Sequence, residues 1–236
     1  MFVLKRKNVI IIAVLILTAF TFVLCSVALV KSNQSASAAG IKVVLDAGHG
    51  GIDGGVSGIH TGVNESELNL AVVKKLEKYL IDAGITPVLT RSSSAGLYGV
   101  ASSTLKRRDM EKRREIIESA KPSLIVSVHM NYYSNSSRRG GQVFYKAGNE
   151  QSKTLAQRVQ KSLNDLYSDV KDYSALTGDY YILNCTDYPA VIAECGFLSN
   201  PKDEELLITD EFQSELAYSL FCGIIDFLSE SSIAYF

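Results

Sequence analysis

The amino-acid sequence predicts an α/β domain: a single mixed, partly parallel, twisted sheet flanked by helices on both faces. Three observations carry this. Short β-branched apolar runs at 43–45, 124–128 and 189–193 alternate with helical stripes of apolar residues. Each run stops at or near a polar residue in a loop, as strands do at the ligand-binding edge of an open α/β sheet. No internal repeat is present, so a solenoid or propeller is not indicated.

The elements follow in order. Residues 41–46 form the first strand, followed by a loop to Gly62 with five glycines between Gly48 and Gly55. Asn64 then caps a helix, with Glu67 placed as in a capping box and Leu68, Val72, Leu76 and Leu80 as its apolar stripe up to Gly84. A strand at 85–90 leads into 91–104, a Ser- and Gly-rich surface loop or lid. The charged helix 107–120 makes apolar contacts through Met110, Ile116 and Ile117, and Pro122 stops it. The strongest strand, 124–128, runs into His129. Strand 142–145, helix 150–167 (Leu155, Val159, Leu163, Leu166), strand 180–183, strand 189–193 ending at Glu194, and helix 210–228 (Leu216, Leu220, Ile224, Phe227) complete the domain.

At 236 residues, 47% apolar and 21% charged, the chain has room for one substantial globular domain. The net charge of −1 includes +4 from Lys5, Arg6, Lys7 and Lys31, so the remainder carries −5. A mildly acidic body is a poor nucleic-acid binder. Residues 1–7 form a basic flank that stays in the cytoplasm, and 8–31 an apolar signal peptide or membrane anchor. The uncharged run 8–30 reaches the roughly 20 residues that span a bilayer, whereas Ala36-Ser37-Ala38 is a cleavage pattern. Either reading exports the body. Residues 32–40 are a linker, 41–229 the main folded domain and 230–236 a tail. Cys185, Cys195 and Cys222 contain no C-x-x-C; one bridge such as Cys185–Cys195 is the alternative to three buried thiols, which we prefer.

The chemistry-bearing residues sit at strand ends. His49 and His129 follow two apolar strands, Glu194 ends a third, and Glu65 opens the helix after the glycine loop. Two imidazoles and one carboxylate make the ligand set of a catalytic zinc, whose fourth position holds a water with its pKa lowered to about 7. The remaining carboxylate is then free to move a proton. Blander readings exist for each: Glu65 as a helix-dipole partner, Glu194 as a buried acid paired with an arginine such as Arg113, and His60 as an exposed loop residue. No G-x-G-x-x-G, phosphate-loop or H-E-x-x-H motif occurs. Cys195 beside Glu194 faces the opposite side of its strand, which argues against a cysteine nucleophile.

Four blocks resemble the zinc-dependent N-acetylmuramoyl-L-alanine amidases of the amidase_3 family: Val44-Leu45-Asp46-Ala47-Gly48-His49-Gly50-Gly51, Asn64-Glu65-Ser66-Glu67, Ser127-Val128-His129-Met130-Asn131, and the stretch 189–200 around Glu194. The resemblance covers about residues 41–229. It implies one Zn2+ on His49, Glu65 and His129, Glu194 as catalytic acid/base, and peptidoglycan as substrate, cut between the muramic lactyl group and L-alanine. Ala47 and Tyr132 stand where the family commonly has Pro and Ala, which bears on substrate fit. A lone exported catalytic domain most resembles the germination-specific amidases that act on spore cortex and contribute to muramic δ-lactam formation. The alternative is an inactive wall-binding or envelope-interaction module on the same fold. Without wall-binding repeats, targeting falls to the membrane anchor or to an envelope protein partner. Tyr132, Tyr133, Arg138 and Arg139, just after His129, are read either as contacts to substrate or as a solvated loop.

Overall fold

In a computed structural model, which describes Phe20 and residues 40–99 and 104–233, six strands form one sheet in the order β2-β1-β3-β6-β4-β5. They are β1 (Lys42–Ala47), β2 (Thr86–Leu89), β3 (Leu124–Asn131), β4 (Gln142–Tyr145), β5 (Leu176–Thr177) and β6 (Ala190–Phe197). The helices are α1 (Glu65–Asp82), α2 (Leu105–Ala120), α3 (Glu150–Leu166), α4 (Tyr181–Asn184), α5 (Pro201–Leu207) and α6 (Asp210–Ile233). Strands β2, β1, β3 and β6 run parallel, and β4 runs antiparallel to β6. The sheet is therefore mixed and mostly parallel, as predicted. Ile41–Phe236 makes up one compact unit. The basic flank, the signal or anchor segment and most of the linker lie outside the described residues.

The two sheet faces are covered differently. Helices α1, α3 and α6 pack together on one side, with Leu76, Leu155, Val159, Leu216 and Leu220 fully buried. The other side has only α2 and the single turn of α4. There Val44, Ile125 and Ile192 from three neighbouring strands meet Ile117, Ala120, Ile182 and Leu183. Strand side chains alternate, so Asp46, Ser127 and Glu194 fall on this same thinly covered face, two residues further along each strand. Helix α2 carries a matching gradient: Ile117 and Ala120 are apolar, while Arg113 and Asp109, one and two turns before Ile117, are buried and charged.

Several expected elements need correction. Residues 180–183 are no strand: Tyr181–Asn184 is one helical turn, and the nearby strand is the two-residue β5. The apolar Tyr-Tyr-Ile-Leu run fits either state, and burial of Ile182 and Leu183 in the α2 layer decides it. The capping box does not close: Asn64 makes no side-chain cap bond, and its amide instead donates to the Glu67 carboxylate at 3.3 Å. Helix α6 runs to Ile233, into the expected tail. Of the three cysteines among the described residues only Cys195 is fully buried; Cys185 and Cys222 are half-buried, and all three are free thiols.

Candidate metal centre

The first strand ends in a loop that returns tightly, and His49 within it has a φ of 60°, a left-handed conformation rare for a residue with a side chain. Buried cations impose it. Arg113 donates to the carbonyls of Ala47 (2.9 Å) and His49 (2.7 Å), and Arg91 to those of Ala47 (2.9 Å) and Gly48 (2.9 Å). Asn69 on α1 also donates to Gly48 O, at 3.1 Å. Arg113 is itself fixed by ion pairs to Asp46 and Asp109. Glycine is required here for space: a Cβ on Gly48 would overlap the His129 ring, and one on Gly55 would overlap the Glu65 carboxylate.

Within this frame His49, Glu65 and His129 converge. One ligand atom from each lies within 4.8 Å of the others. Glu65 receives His129 Nδ1 at 2.8 Å and His49 Nε2 at 3.3 Å, and backbone amides of Val56 (3.0 Å) and Met130 (3.2 Å) donate to it as well. Burial pushes the Glu65 carboxyl up, but the hydrogen bonds and charges of the two histidines outweigh this and hold it well below the carboxylate range. Burial likewise lowers His49, yet Glu65 and Asp53 raise it to about 9; His129 is also raised, its burial outweighed by Glu65 and Glu194. Two imidazoles and a carboxylate converging on one point fit a single zinc ion as ligands. Their strong mutual attraction is what a cation placed among deprotonated imidazoles would replace.

Glu194 stands opposite His129 across the β3–β6 pair and lines the same cleft, a cavity of about 710 Å³. Its Oε2 is closed off from solvent without a hydrogen-bond partner. Burial raises its carboxyl to about 7, against the pull of His129 and with a further push from Glu65. The pairing with Arg113 considered from sequence does not form, since Arg113 is taken by Asp46 and Asp109. His60 is exposed and apart, its backbone amide donating to Glu204. Of the residues after His129, Tyr132 lines the cleft, whereas Arg139 is bound to Asp203 and Asp169 and Arg138 lies over the Tyr133, Tyr173 and Phe197 rings.

Sequence reasoning missed Asp46, Arg91, Asn69 and Arg113, which hold the loop, and Tyr98, Lys106 and Tyr180, which line the cleft. Asp46 carried a signal: it is a charged residue in the inward phase set by Val44. The others had none, because their partners are distant in sequence.

A parallel sheet edge with a buried acid beside a two-histidine, one-carboxylate cluster able to hold a metal has the layout of a hydrolytic site on an α/β fold. The chain belongs to the Amidase_3 family, N-acetylmuramoyl-L-alanine amidases, whose model matches residues 43–226. It is thus an amidase of peptidoglycan. The chain is 30% identical over 192 residues to the germination-specific N-acetylmuramoyl-L-alanine amidase of Bacillus subtilis, covering 80% of each chain. It is 28% identical to the amidase LytC of the same species, of which it spans 36%. Among solved structures, the CwlD amidase from Clostridioides difficile, in complex with the GerS lipoprotein, superposes with a TM-score of 0.77 at 31% identity, over 80% of this chain and 98% of that one.

Proposed function

We propose that this amidase works with one zinc ion held by His49, Glu65 and His129, with Glu194 as the catalytic acid and base, on the peptidoglycan of the spore cortex. The observation that carries the site reading is the meeting of three ligand atoms within 4.8 Å in the cleft that also holds the unpartnered Glu194 oxygen. Zinc there supplies Lewis acidity toward the scissile carbonyl and acidifies a water.

The rest is done by the chain. The two arginines and Asn69 fix the backbone on which His49 is carried, so the imidazole needs little reorganisation. Glu65, kept ionised, contributes the negative ligand. Glu194 accepts a proton from the attacking water and delivers it to the departing nitrogen of L-alanine, a task suited to a carboxyl near 7.

The cortex assignment is supported by the likeness to the germination-specific enzyme and to CwlD. That CwlD was solved with a lipoprotein supports an envelope protein partner for this chain also. Extracytoplasmic action is supported by the basic and apolar start of the sequence. Among the described residues no helix is long and apolar enough to cross a membrane. We assign anchoring or release to the apolar residues 8–31 of the sequence.

Incubation of zinc-loaded protein with purified cortex and vegetative peptidoglycan, followed by mass spectrometry, tests this. The expected products are stem peptides with free L-alanine amino termini and unsubstituted muramic acid, formed faster from cortex. Intact muropeptides from both substrates would instead favour the inactive wall-binding module.

A further inference from the structure

The Asp53 carboxylate touches the proposed metal ligand His49 directly. The loop after His49 reverses on itself: Gly50 N donates to Asp53 O at 2.8 Å, which brings residue 53 back beside the ring four positions earlier. The Asp53 Oδ2 then lies 2.9 Å from His49 Nδ1, while Oδ1 accepts the Gly55 amide at 3.2 Å. Both oxygens are engaged, so the carboxylate is oriented and not merely near. The tip of the turn is fastened from outside, Gly51 N to Ser94 O at 2.7 Å and Ile52 N to Tyr98 Oη at 2.5 Å.

We infer that Asp53 is a positioning residue that holds His49 as its Nδ1–H tautomer and leaves Nε2, the nitrogen on the Glu65 side, as the metal-binding atom. This rests on the reading of His49, Glu65 and His129 as zinc ligands. The physical reason is that a carboxylate accepts only: both ring nitrogens face one, Asp53 at Nδ1 (2.9 Å) and Glu65 at Nε2 (3.3 Å), and once a cation takes Glu65 and the Nε2 lone pair, Asp53 is the acceptor left to hold the proton at Nδ1. It also fixes the ring's rotation and strengthens the imidazole as a donor, the usual service of a carboxylate behind a metal-bound histidine. His129 is arranged differently, with its Nδ1 toward Glu65. The two rings, 5.0 Å apart and at 76°, therefore present different nitrogens to one centre, and each needs its own constraint.

The test uses the full-length protein and the variants Asp53→Ala and Asp53→Asn. Asparagine keeps the turn acceptor for Gly55 and guards against a loss of folding in the alanine variant. Zinc affinity is measured by chelator competition, and the His49 Nδ1–H by proton–nitrogen NMR of the zinc-loaded protein, where a proton held by a carboxylate exchanges slowly with water. We expect Asp53→Ala to bind zinc about 10- to 100-fold more weakly and to lose the slowly exchanging Nδ1–H signal, with Asp53→Asn in between. Unchanged zinc affinity, or weaker affinity with that signal intact, overturns the inference; the latter result leaves Asp53 only a turn residue. If the wild-type protein itself binds no zinc, the metal reading fails and the inference with it, an outcome distinct from an Asp53→Ala protein that binds zinc as tightly as wild type.

Discussion

The two faces of the sheet are made by the same strands and do different work. On the face under α1, α3 and α6, Val43, Leu45, Val126, Val191 and Ala193 are fully buried and apolar along the whole strand. On the face under α2 and α4, apolar Val44, Ile125 and Ile192 give way to Asp46, Ser127, His129 and Glu194 toward the carboxyl edge. Period-two alternation lets a strand anchor itself through one set of side chains while the other set carries charge. The comparison within the charged set is just as informative. Asp46 is saturated by Arg113, by Ser127 at 2.5 Å and by Thr90 at 2.7 Å, whereas Glu194 Oε2 has no partner. One buried carboxylate is taken up by the architecture, and the other keeps an oxygen without a partner.

The largest expected effect concerns that free acid. Glu194→Gln should lower kcat by about 10²- to 10⁴-fold, as loss of a general acid/base does, while zinc content and melting temperature stay at wild-type levels. A variant with normal turnover would place proton transfer elsewhere.

Breaking the saturated network should show the opposite pattern, a stability defect. Arg113→Met strands Asp46 and Asp109 as buried, unpaired charges and should cost about 3–5 kcal/mol in urea unfolding. Adding Asp46→Asn should recover part of it. A loss below about 1 kcal/mol would show the ion pairs to be dispensable. On the apolar face, Leu45→Ala should cost about 2–5 kcal/mol and leave zinc affinity unchanged, because that side chain points away from the ligands.

The acid limb of stability gives a smaller effect. Burial pushes Asp46 up, but Arg113, then Ser127 and Thr90, bring it down to about 2. A carboxyl with a depressed folded value adds stability above its unfolded value, near 3.9, and loses it as pH falls toward 2. The contribution is on the order of 2 kcal/mol, and Asp46→Asn should flatten this part of the curve of stability against pH. The smallest effect is that of Ser127→Ala, about 1 kcal/mol or slightly more for a hydrogen bond to a buried charge.

What was legible in the sequence follows the range of each interaction. Strands β1, β3 and β6 and helices α1, α3 and α6 announce themselves through local apolar spacing, and the proposed site residues His49, His129 and Glu194 through their place at strand ends, with Glu65 through the family-like block at the start of α1. Helix α5 had a readable start, since Asn200 caps it with bonds to Lys202 N and Asp203 N and Pro201 opens it, a signal the strand-centred reading passed over. The Asp46–Arg113 pair had no such signal: 67 positions separate its members, and only the stacking of α2 on the sheet joins them. The α4 turn was misread because four apolar residues carry no decisive period, and β5 because two exposed residues carry none.

The central claim is that three side chains from β1's loop, α1 and β3 hold one ion while Glu194 turns over substrate beside it. The most direct measurement titrates zinc into metal-free protein while counting L-alanine amino termini released from peptidoglycan. One equivalent should restore activity in the wild-type enzyme, and one equivalent should bind to Glu194→Gln without restoring any. Full activity with no metal bound, or undiminished binding after His129→Ala and Glu65→Ala are combined, would contradict it.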